Sequence, residues 1–542
     1  MPSTETPNNN FLPPYARVIA PYLILSLIVF AAYGNIFDNA FLFDDDLLIK
    51  INTYLRGWSH VGDLLTGSTT SGAHIMGGFY RPVQMLLYLF AFHLGDGQPF
   101  WFHALNLGLH IANVCFVYKI GAKLGFDAKA AFLGALLWGV HPIHTEAVTY
   151  ISGTADPLSV FFCLGAIIIL LPDFSPRKIL TVIPLFLLGL VSKETSVIFP
   201  LLVMVCLFYV SPERLKPRTY FRTWPLWVIA LVFAYWRTHA AGLDGPQTYG
   251  RFYDMPQFAD LKVYAEQPIY RIYTFLATLP EYLQLLVWPT NLHMERSFPI
   301  QPTFWDWGVM GGVMMIVFAA AHIAYSVKIR RGLELGWGFL WFAAAHAPDT
   351  GLLVPMNALF LEHWMYFPSI GLFLGLAQTV FVLTKKSPRA VPVFCSAAAL
   401  IFAFALSVKT YKQNIIWHDP PVFYNNIFKY GERSARARNN LALYYSDNSQ
   451  LRAAVEQLEL GIASSDIYAE TQYNLALIIM RLSENKESAA QAIKHLERSL
   501  EIQPNFYRSY KTLGEIYEIV LHDKKKADFY YARANELLNQ QK

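Results

Sequence analysis

Three carboxylates stand in a row at Asp44, Asp45 and Asp46, within Phe41-Leu42-Phe43-Asp44-Asp45-Asp46-Leu47-Leu48-Ile49-Lys50-Ile51-Asn52. They follow directly on an apolar run at residues 20–37, long enough to cross a bilayer. Such a triplet has two readings. It either solvates the end of a membrane helix, or forms an acid–base centre at the membrane surface, able to take a proton or hold a cation. Other groups able to do chemistry are scattered through the chain. They are Arg81, His141-Pro142-Ile143-His144-Thr145-Glu146, Asp156, Lys193-Glu194, Arg237 and Glu362-His363. His141 and His144 admit a metal-pair reading, which Pro142 disfavours by breaking a regular helical ligand spacing.

These residues must be positioned by an apolar scaffold. Of the 542 residues, 54% are hydrophobic and only 15% charged. Soluble domains carry about 25% charged residues, so much of the chain belongs in lipid. The net charge of +4 is too small to argue for a nucleic-acid partner. Cys115, Cys163, Cys206 and Cys395 lie far apart in apolar runs and read as core residues. The first apolar run lacks a small-residue cleavage site and is expected to stay as an anchor.

Apolar stretches mark expected spans at residues 15–37, 100–120, 130–150, 158–171, 179–191, 195–210, 224–235, 305–329, 335–347, 364–383 and 391–408. Residues 82–94 are expected to lie at or dip into the membrane surface, and the apolar stretch 269–288, whose depth the pattern leaves open, is counted with them as not crossing. Basic clusters at 119–129, 177–178, 214–218, 328–331 and 385–389 fix the orientation when placed in the cytoplasm. With about 11 spans the N-terminus is then cytoplasmic. Asp44–Asp46, Arg81, the 141–156 segment, Lys193-Glu194, Arg237 and Glu362-His363 all fall on the opposite face. Outer loops are expected at 38–99 and 242–268, the membrane domain at 1–409 and a linker at 410–434.

Residues 435–542 are charged and helically periodic. Asn440-Leu441-Ala442, Asn474-Leu475-Ala476 and Thr512-Leu513-Gly514 recur in register. Leu441 and Leu475 are 34 apart, the tetratricopeptide period. The third unit lags by four residues, an insertion expected at 483–488. About three repeats should stack as an α-solenoid with a concave peptide-binding face.

These blocks together carry a family resemblance. Phe43-Asp44-Asp45, Tyr80-Arg81-Pro82, Phe102-His103 with Asn106 and His110, His141 through Asp156, Lys193-Glu194-Thr195, Glu362 through Ser369 and Trp417-His418-Asp419 stand in a specific order. In that order the chain resembles the transmembrane and tetratricopeptide-repeat O-mannosyltransferases and their bacterial relatives, within the GT-C class of membrane glycosyltransferases. It departs from the pattern at Thr154 and His363, where arginines are common.

The resemblance implies an all-α fold, a polytopic GT-C helix bundle followed by repeats. It also implies a sugar donor linked to a polyprenyl phosphate and used outside the cytoplasm. A Ser or Thr hydroxyl needs a base to attack it near neutral pH. Asp44 matches the first acid of the motif and is the expected base. Asp45 is the runner-up, or orients Asp44. One carboxylate suffices for direct, inverting displacement. The departing phosphate needs cations, for which Arg81 and Arg237 are first candidates and Lys193 and His363 next. Interfacial anchoring is the alternative for each. His141, His144, Glu146, Asp156, Glu194 and Glu362 are expected around the sugar or acceptor, with helix capping the alternative for Asp156. His103, Asn106 and His110 share one helical face and are expected to make interhelical hydrogen bonds. No cofactor is expected to be required. A divalent cation on Asp44 and Asp45 is the alternative.

The expected partners are the lipid-linked donor, a polypeptide acceptor held by the repeats, and membrane lipids. The expected location is a bacterial inner membrane, or the endoplasmic reticulum in a eukaryote, with the repeats periplasmic or lumenal. Competing readings are transfer to a glycolipid or cell-wall glycan, en bloc oligosaccharide transfer, and a non-catalytic scaffold. A transporter is disfavoured, because ionisable groups gather at one surface and do not line a path.

Overall fold

The computed structural model describes residues 13–73, 79–171, 173–239, 259–329, 331–356, 358–431 and 434–540. A chain in lipid must pair its own backbone groups, and the helix does so within one segment. The described residues accordingly hold helices and turns and no strand. In chain order, α1 (Pro14–Tyr33) leads into the acidic loop and α2 (Pro82–Leu94) follows it. Then come α3 (Pro99–Lys123), α4 (Ala128–Gly139), α5 (Ala155–Leu170), α6 (Ile183–Leu190), α7 (Phe199–Val210) and α8 (Trp224–His239). The bundle is completed by α9 (Pro268–Val287), α10 (Trp307–Ile329), α11 (Leu333–His346), α12 (Ser369–Thr384) and α13 (Ala390–Ile416).

One apolar core runs through the bundle, from Val29 and Val114 to Trp138, Phe199, Trp337, Trp341 and Leu374. Helix α3 packs on α1, α4 and α5, and α12 packs on α4 and α11. Small residues set the α11–α12 spacing. A Cβ on Gly338 would meet the Gly371 carbonyl oxygen at 2.5 Å, and one on Gly375 the Glu334 carbonyl oxygen at 2.7 Å. Glycines at both positions let the two backbones touch. By contrast, α1, α10 and α13 turn Leu27, Phe318 and Phe404 outward. Apolar surface on that scale suits lipid, not water.

By length and apolarity, five described helices can cross a membrane: Tyr15–Asp38, Pro99–Lys123, Ile151–Leu170, Trp307–Ile329 and Ala390–Ile416. Four shorter apolar helices accompany them, at Pro82–Leu94, Ala128–Gly139, Glu194–Val210 and Ser369–Thr384. The expected eleven spans are not reached on this measure. The physical reason is interruption. The stretch expected at 130–150 leaves the helix at Gly139, and Pro142 opens a chain of short turns. The stretch at 179–191 divides into Pro176–Thr181 and Ile183–Leu190, with Pro184 in the first turn of the second piece. Of the outer loop expected at 242–268, residues 242–258 lie outside the described residues, and Ala259–Glu266 is a helix.

The segment expected as a linker, 410–434, is packed structure. Helix α13 runs on to Ile416. Helix α14 (Pro420–Lys429) then starts at Asp419, whose side chain accepts the Val422 N–H at 3.0 Å. It buries Phe423, Tyr424 and Ile427 with Leu42, Phe43, Tyr150 and Trp417 on one side and Ala437 and Leu441 on the other. The repeats are thereby joined to the acidic loop through an apolar cluster.

Three helix pairs follow: α15 (Ala435–Asp447) with α16 (Leu451–Ser464), α17 (Ala469–Leu482) with α18 (Lys486–Ile502), and α19 (Tyr507–Ile519) with α20 (Lys524–Gln540). Leu441, Leu475 and Leu513 are each buried in this stack. Asn474 donates to the Asn439 side chain at 2.8 Å, tying the first two pairs together. The four-residue lag of the third unit arises before Ala492, around the expected 483–488, because Ala454, Leu458 and Gly461 match Ala492, Leu496 and Ser499 at a spacing of 38, but it is added helix and not a longer turn. The turn there has the same three residues as at 448–450. Instead α18 has 17 residues where α16 has 14, and α17 has 14 where α15 has 13.

Candidate active site

The acidic loop is shaped by its own carboxylates. The Leu42 N–H donates to Asp45 Oδ2 at 2.9 Å, and the Asp45 N–H returns to the Leu42 carbonyl at 3.0 Å. The other Asp45 oxygen, Oδ1, accepts the Ser152 N–H at 2.8 Å and the Ser152 hydroxyl. Asp45 is 1% exposed, and its carboxyl binds two loops together. The turn forces Phe43 to φ +57°, a left-handed conformation uncommon for an aromatic residue. Backbone strain of this kind clusters at functional sites. It directly precedes Asp44, which is half-buried, while Asp46 is exposed and paired with Lys50 at 2.8 Å.

Asp44 lies where three parts of the chain meet. Its N–H donates to the Tyr150 hydroxyl at 3.0 Å. Tyr150 stacks on Trp417, with ring centroids 5.5 Å apart. The Arg436 guanidinium, from the first repeat helix, lies 4.1 Å from the Phe43 ring centroid and pairs with Glu295. Glu295 also accepts the Ser434 hydroxyl at 2.6 Å. Burial raises the Asp44 carboxyl above its ordinary value, and the Arg436 charge and a Tyr150 hydrogen bond oppose it. Burial pushes Asp45 up to about 7, against the donors from Leu42 and Ser152.

The 141–156 segment carries this site to a second one. Gly153 permits its tight fold, since a Cβ there would meet the Glu146 carbonyl oxygen at 2.7 Å. Asn106 holds the segment by donating to the Val148 and Tyr150 carbonyls at 3.3 and 3.2 Å. His103 bonds the Asn39 carbonyl at 3.2 Å, and His110 the Gly139 carbonyl and Tyr366 hydroxyl, each at 2.8 Å. On the far side of Ser152, α2 approaches. Gln84 donates to the Ser152 carbonyl at 3.3 Å and Tyr88 to the Ile151 carbonyl at 2.7 Å. Arg81, immediately before α2, grips Glu194 through two bonds of 3.1 and 2.7 Å.

Around Arg81 lies a partly buried network of alternating charge. Lys193 Nζ is 2.6 Å from Asp156 Oδ1, and His363 Nδ1 is 2.9 Å from Glu146 Oε1. The His363 N–H also donates to Glu146 Oε2 at 3.0 Å. Glu362 accepts the His293 N–H at 2.9 Å and faces Arg296 at 3.5 Å. Burial works to raise Glu194, but the Arg81 and Lys193 charges prevail and hold it at about 2. Burial works to lower His363, yet the Glu146 and Asp156 carboxylates raise it overall. Glu362 is raised, by burial and by the neighbouring Glu146 charge. Asp349 is pushed up to about 7 by burial, with Lys193, Asp156, His363 and Glu194 as charged neighbours.

The structure thus brings together Arg81, Lys193, Glu194, Asp156, Glu146, Glu362 and His363. It places Asp44 and Asp45 across the Ser152 loop from them. Arg237 sits near the end of α8, where Trp236 packs on Tyr80 with centroids 5.3 Å apart, close along the chain to Arg81. The histidine pair is elsewhere. His141 bonds the Leu286 carbonyl at 3.1 Å, and His144 sits among Trp138, Tyr366 and His110; both are fully buried. They belong to the core beneath the site, because the break at Pro142 turns them inward.

Sequence reasoning missed Arg436, Glu295, Arg296 and Asp349. Arg436 stands in the first repeat but outside its recurring triplet, and the other three lie in segments without a recognisable motif. The strained Phe43, beside the acidic triplet, was legible only once its backbone angle was known. A cation on Asp44 and Asp45 does not fit the arrangement. Both Asp45 oxygens are taken by N–H and O–H donors, and no group of three His, Cys, Asp or Glu side chains converges among the described residues.

No family model matches the chain. Individual relatives do, over much of its length. Protein O-mannosyl-transferase TMTC1 of Homo sapiens is 25% identical over 453 residues, covering 75% of this chain and 50% of the relative. Protein O-mannosyl-transferase F38B6.6 of Caenorhabditis elegans is 23% identical, covering 80% and 61%. Protein O-mannosyl-transferase Tmtc3 of Drosophila melanogaster is 24% identical, covering 86% and 57%. This chain is similar to the protein O-mannosyl-transferases. The resemblance expected from the motifs is met, and the chain spans about half to three-fifths of the length of these O-mannosyl-transferase relatives. A solved structure titled as that of MamA covers 32% of this chain at 21% identity and a TM-score of 0.19, too slight a likeness to carry an argument.

Proposed function

We propose that this chain is a membrane glycosyltransferase that moves a mannosyl-type sugar from a polyprenyl-phosphate donor to a Ser or Thr hydroxyl of a polypeptide. The observation that carries this reading is the placement of Asp44. It is a half-buried carboxylate with a raised pKa, held between a membrane helix, the 141–156 loop and the first repeat. The O-mannosyl-transferase names of the relatives supply the reaction class.

In the proposed step the Asp44 carboxylate takes the proton from the acceptor hydroxyl. The hydroxyl oxygen forms its bond to the anomeric carbon as the bond from that carbon to the phosphate oxygen breaks. The phosphate leaves with the electron pair, and the configuration inverts. Asp45 positions Asp44 by fixing the turn, and Arg436 brings the first repeat to the acid. Arg81, Lys193 and His363 are each engaged by a carboxylate, so they meet the leaving phosphate by exchanging one anion for another. Glu146, Asp156 and Glu194 then become available to sugar hydroxyls, while Glu362, held by the His293 N–H and Arg296, offers its remaining acceptor capacity beside them. The full GT-C arrangement of about 11 spans, with site and repeats outside the cytoplasm, belongs to the same proposal.

Transfer of radiolabelled sugar from polyprenyl-phosphate donors in isolated membranes tests it. Asp44→Asn at matched expression should lower protein labelling by about 100-fold or more, the usual scale of a general base, while the lipid donor accumulates. Undiminished labelling would remove Asp44 from the chemistry. Label found only in lipid or glycan would overturn the protein acceptor.

A further inference from the structure

The helices that build the site also build a cavity at their other ends. Helix α3 starts near the acidic loop and ends at Lys123. Helix α7 starts just after Lys193-Glu194 and ends at Tyr209 and Val210. Helix α11 ends at His346, beside Asp349, and begins after Arg331 and Gly332. Between these far ends lies a cavity of about 460 Å³, lined by Lys123, Tyr209, Arg214, Arg331 and Glu334 among others.

Its charges are unbalanced. Among the described residues, no carboxylate lies within 4 Å of Lys123, Arg214 or Arg331 in an ion pair. Lys123 donates to the Leu171 carbonyl at 2.6 Å and Arg214 to the Ser211 carbonyl at 3.2 Å, which fixes each head group and leaves further donors open. Lys119 and Lys178 add positive charge around Lys123. Lys178 is paired with Asp173 at 3.6 Å, but among the lining residues a single carboxylate stands against Lys123, Arg214 and Arg331. Glu334 Oε2 is buried in the wall with no hydrogen-bond partner, a costly state for a carboxylate oxygen. The Tyr209 hydroxyl lies within the fields of both Glu334 and Arg214.

A ligand that matches three cations and one orphan carboxylate carries an anion and an ammonium a few atoms apart. The surroundings choose its source. The cavity lies at the ends of the apolar helices α3 and α7, and basic residues at the ends of membrane helices meet lipid head groups. Beside Arg214, the side chains of Leu215, Phe221 and Trp224 are exposed by 72%, 74% and 55%. Exposed apolar side chains that follow a cavity residue so closely along the chain suit acyl chains and not a free ion.

We propose that this cavity binds the head group of an amine-bearing glycerophospholipid, its phosphate on Lys123, Arg214 and Arg331 and its ammonium on Glu334. The lipid would come from the leaflet opposite the candidate active site and hold the far ends of α3, α7 and α11 together. This inference stands independently of the proposed reaction.

The test is native mass spectrometry of the delipidated full chain, titrated with phosphatidylethanolamine, phosphatidylglycerol, phosphatidylcholine or inorganic phosphate. Phosphatidylethanolamine should be retained best. Arg214→Gln should weaken both ethanolamine and glycerol lipids by about tenfold, the order of one charge-assisted hydrogen bond. Glu334→Gln should erase the preference for ethanolamine over glycerol and leave glycerol-lipid retention intact, a pattern that misfolding cannot produce. Equal retention of all three lipids overturns the proposal, as does a preference unaffected by Glu334→Gln. Displacement of the lipid by inorganic phosphate would overturn it too, reassigning the site to a free anion.

Discussion

At the scale of single residues, two adjacent aspartates are separated by what their oxygens do. Asp45 has three donors on its two oxygens, whereas Asp44 keeps its carboxylate toward the repeat. Asp45 should therefore act on stability as well as on transfer. Its folded pKa, about 7, lies above the ordinary carboxyl value. A raised carboxyl contributes stability that is present below the unfolded value and lost as pH rises through the folded one. The unfolding midpoint in detergent should therefore carry a component that falls between about pH 4 and about pH 7, and Asp45→Asn should flatten it. An unchanged slope in the variant would assign that component to another group. Arg81 invites a different test. Arg81→Gln leaves Glu194 in the wall without its partner, at a cost of roughly 3 kcal/mol, and Arg81→Gln with Glu194→Gln should recover most of that. If the double variant regains its melting point but still binds donor poorly, Arg81 holds phosphate. If donor binding returns with stability, the pair is structural.

At the scale of elements, the first repeat helix is a wall of the candidate site. Helix α14 and the apolar cluster around Phe43, Trp417, Phe423 and Leu441 hold it there, and Arg436 reaches the acidic loop. The Arg436 charge lowers the Asp44 carboxyl against the effect of burial. Arg436→Gln should thus raise that carboxyl further and move the acid limb of the transfer pH profile upward, with Arg436→Lys restoring most of it. A purely structural role would lower activity at every pH alike. The repeat stack itself was legible in the sequence, because a 34-residue period in small and apolar residues survives any local detail. The lengthened α18 was not, since extra residues shift the later register equally whether they lie in a helix or in a loop.

At the scale of the whole molecule, charged groups divide between the two ends of the bundle. Carboxylates, Arg81, Lys193 and His363 gather at one end, while Lys123, Arg214 and Arg331 ring the cavity at the other. The proposed orientation predicts the outcome of thiol labelling in intact cells with a membrane-impermeant reagent. A cysteine at the exposed position of Asp46, or at Ser449 in the repeats, should label from outside. One at Lys386 should label only after permeabilisation. Labelling of Lys386→Cys in sealed cells would invert the topology and detach the site from a donor presented outside.

The acidic motif, the repeat period, the structural hydrogen bonding of His103, Asn106 and His110, and the likeness to O-mannosyl-transferases could all be read from the chain, although His103 and Asn106 bond the connecting segments and not a facing membrane helix. Each rests on residue type and spacing, which sequence records directly. The inward turn of His141 and His144, the pairing of Arg81, Lys193 and His363 with buried or half-buried carboxylates, and the meeting of Asp44 with Arg436 could not. The number of long apolar helices belongs to the same group, because apolar content measures what lipid will accept, whereas helix length is set where Gly139, Pro142 and Pro184 interrupt the backbone. Contacts between residues hundreds of positions apart depend on how helices cross, and only the tertiary structure decides that.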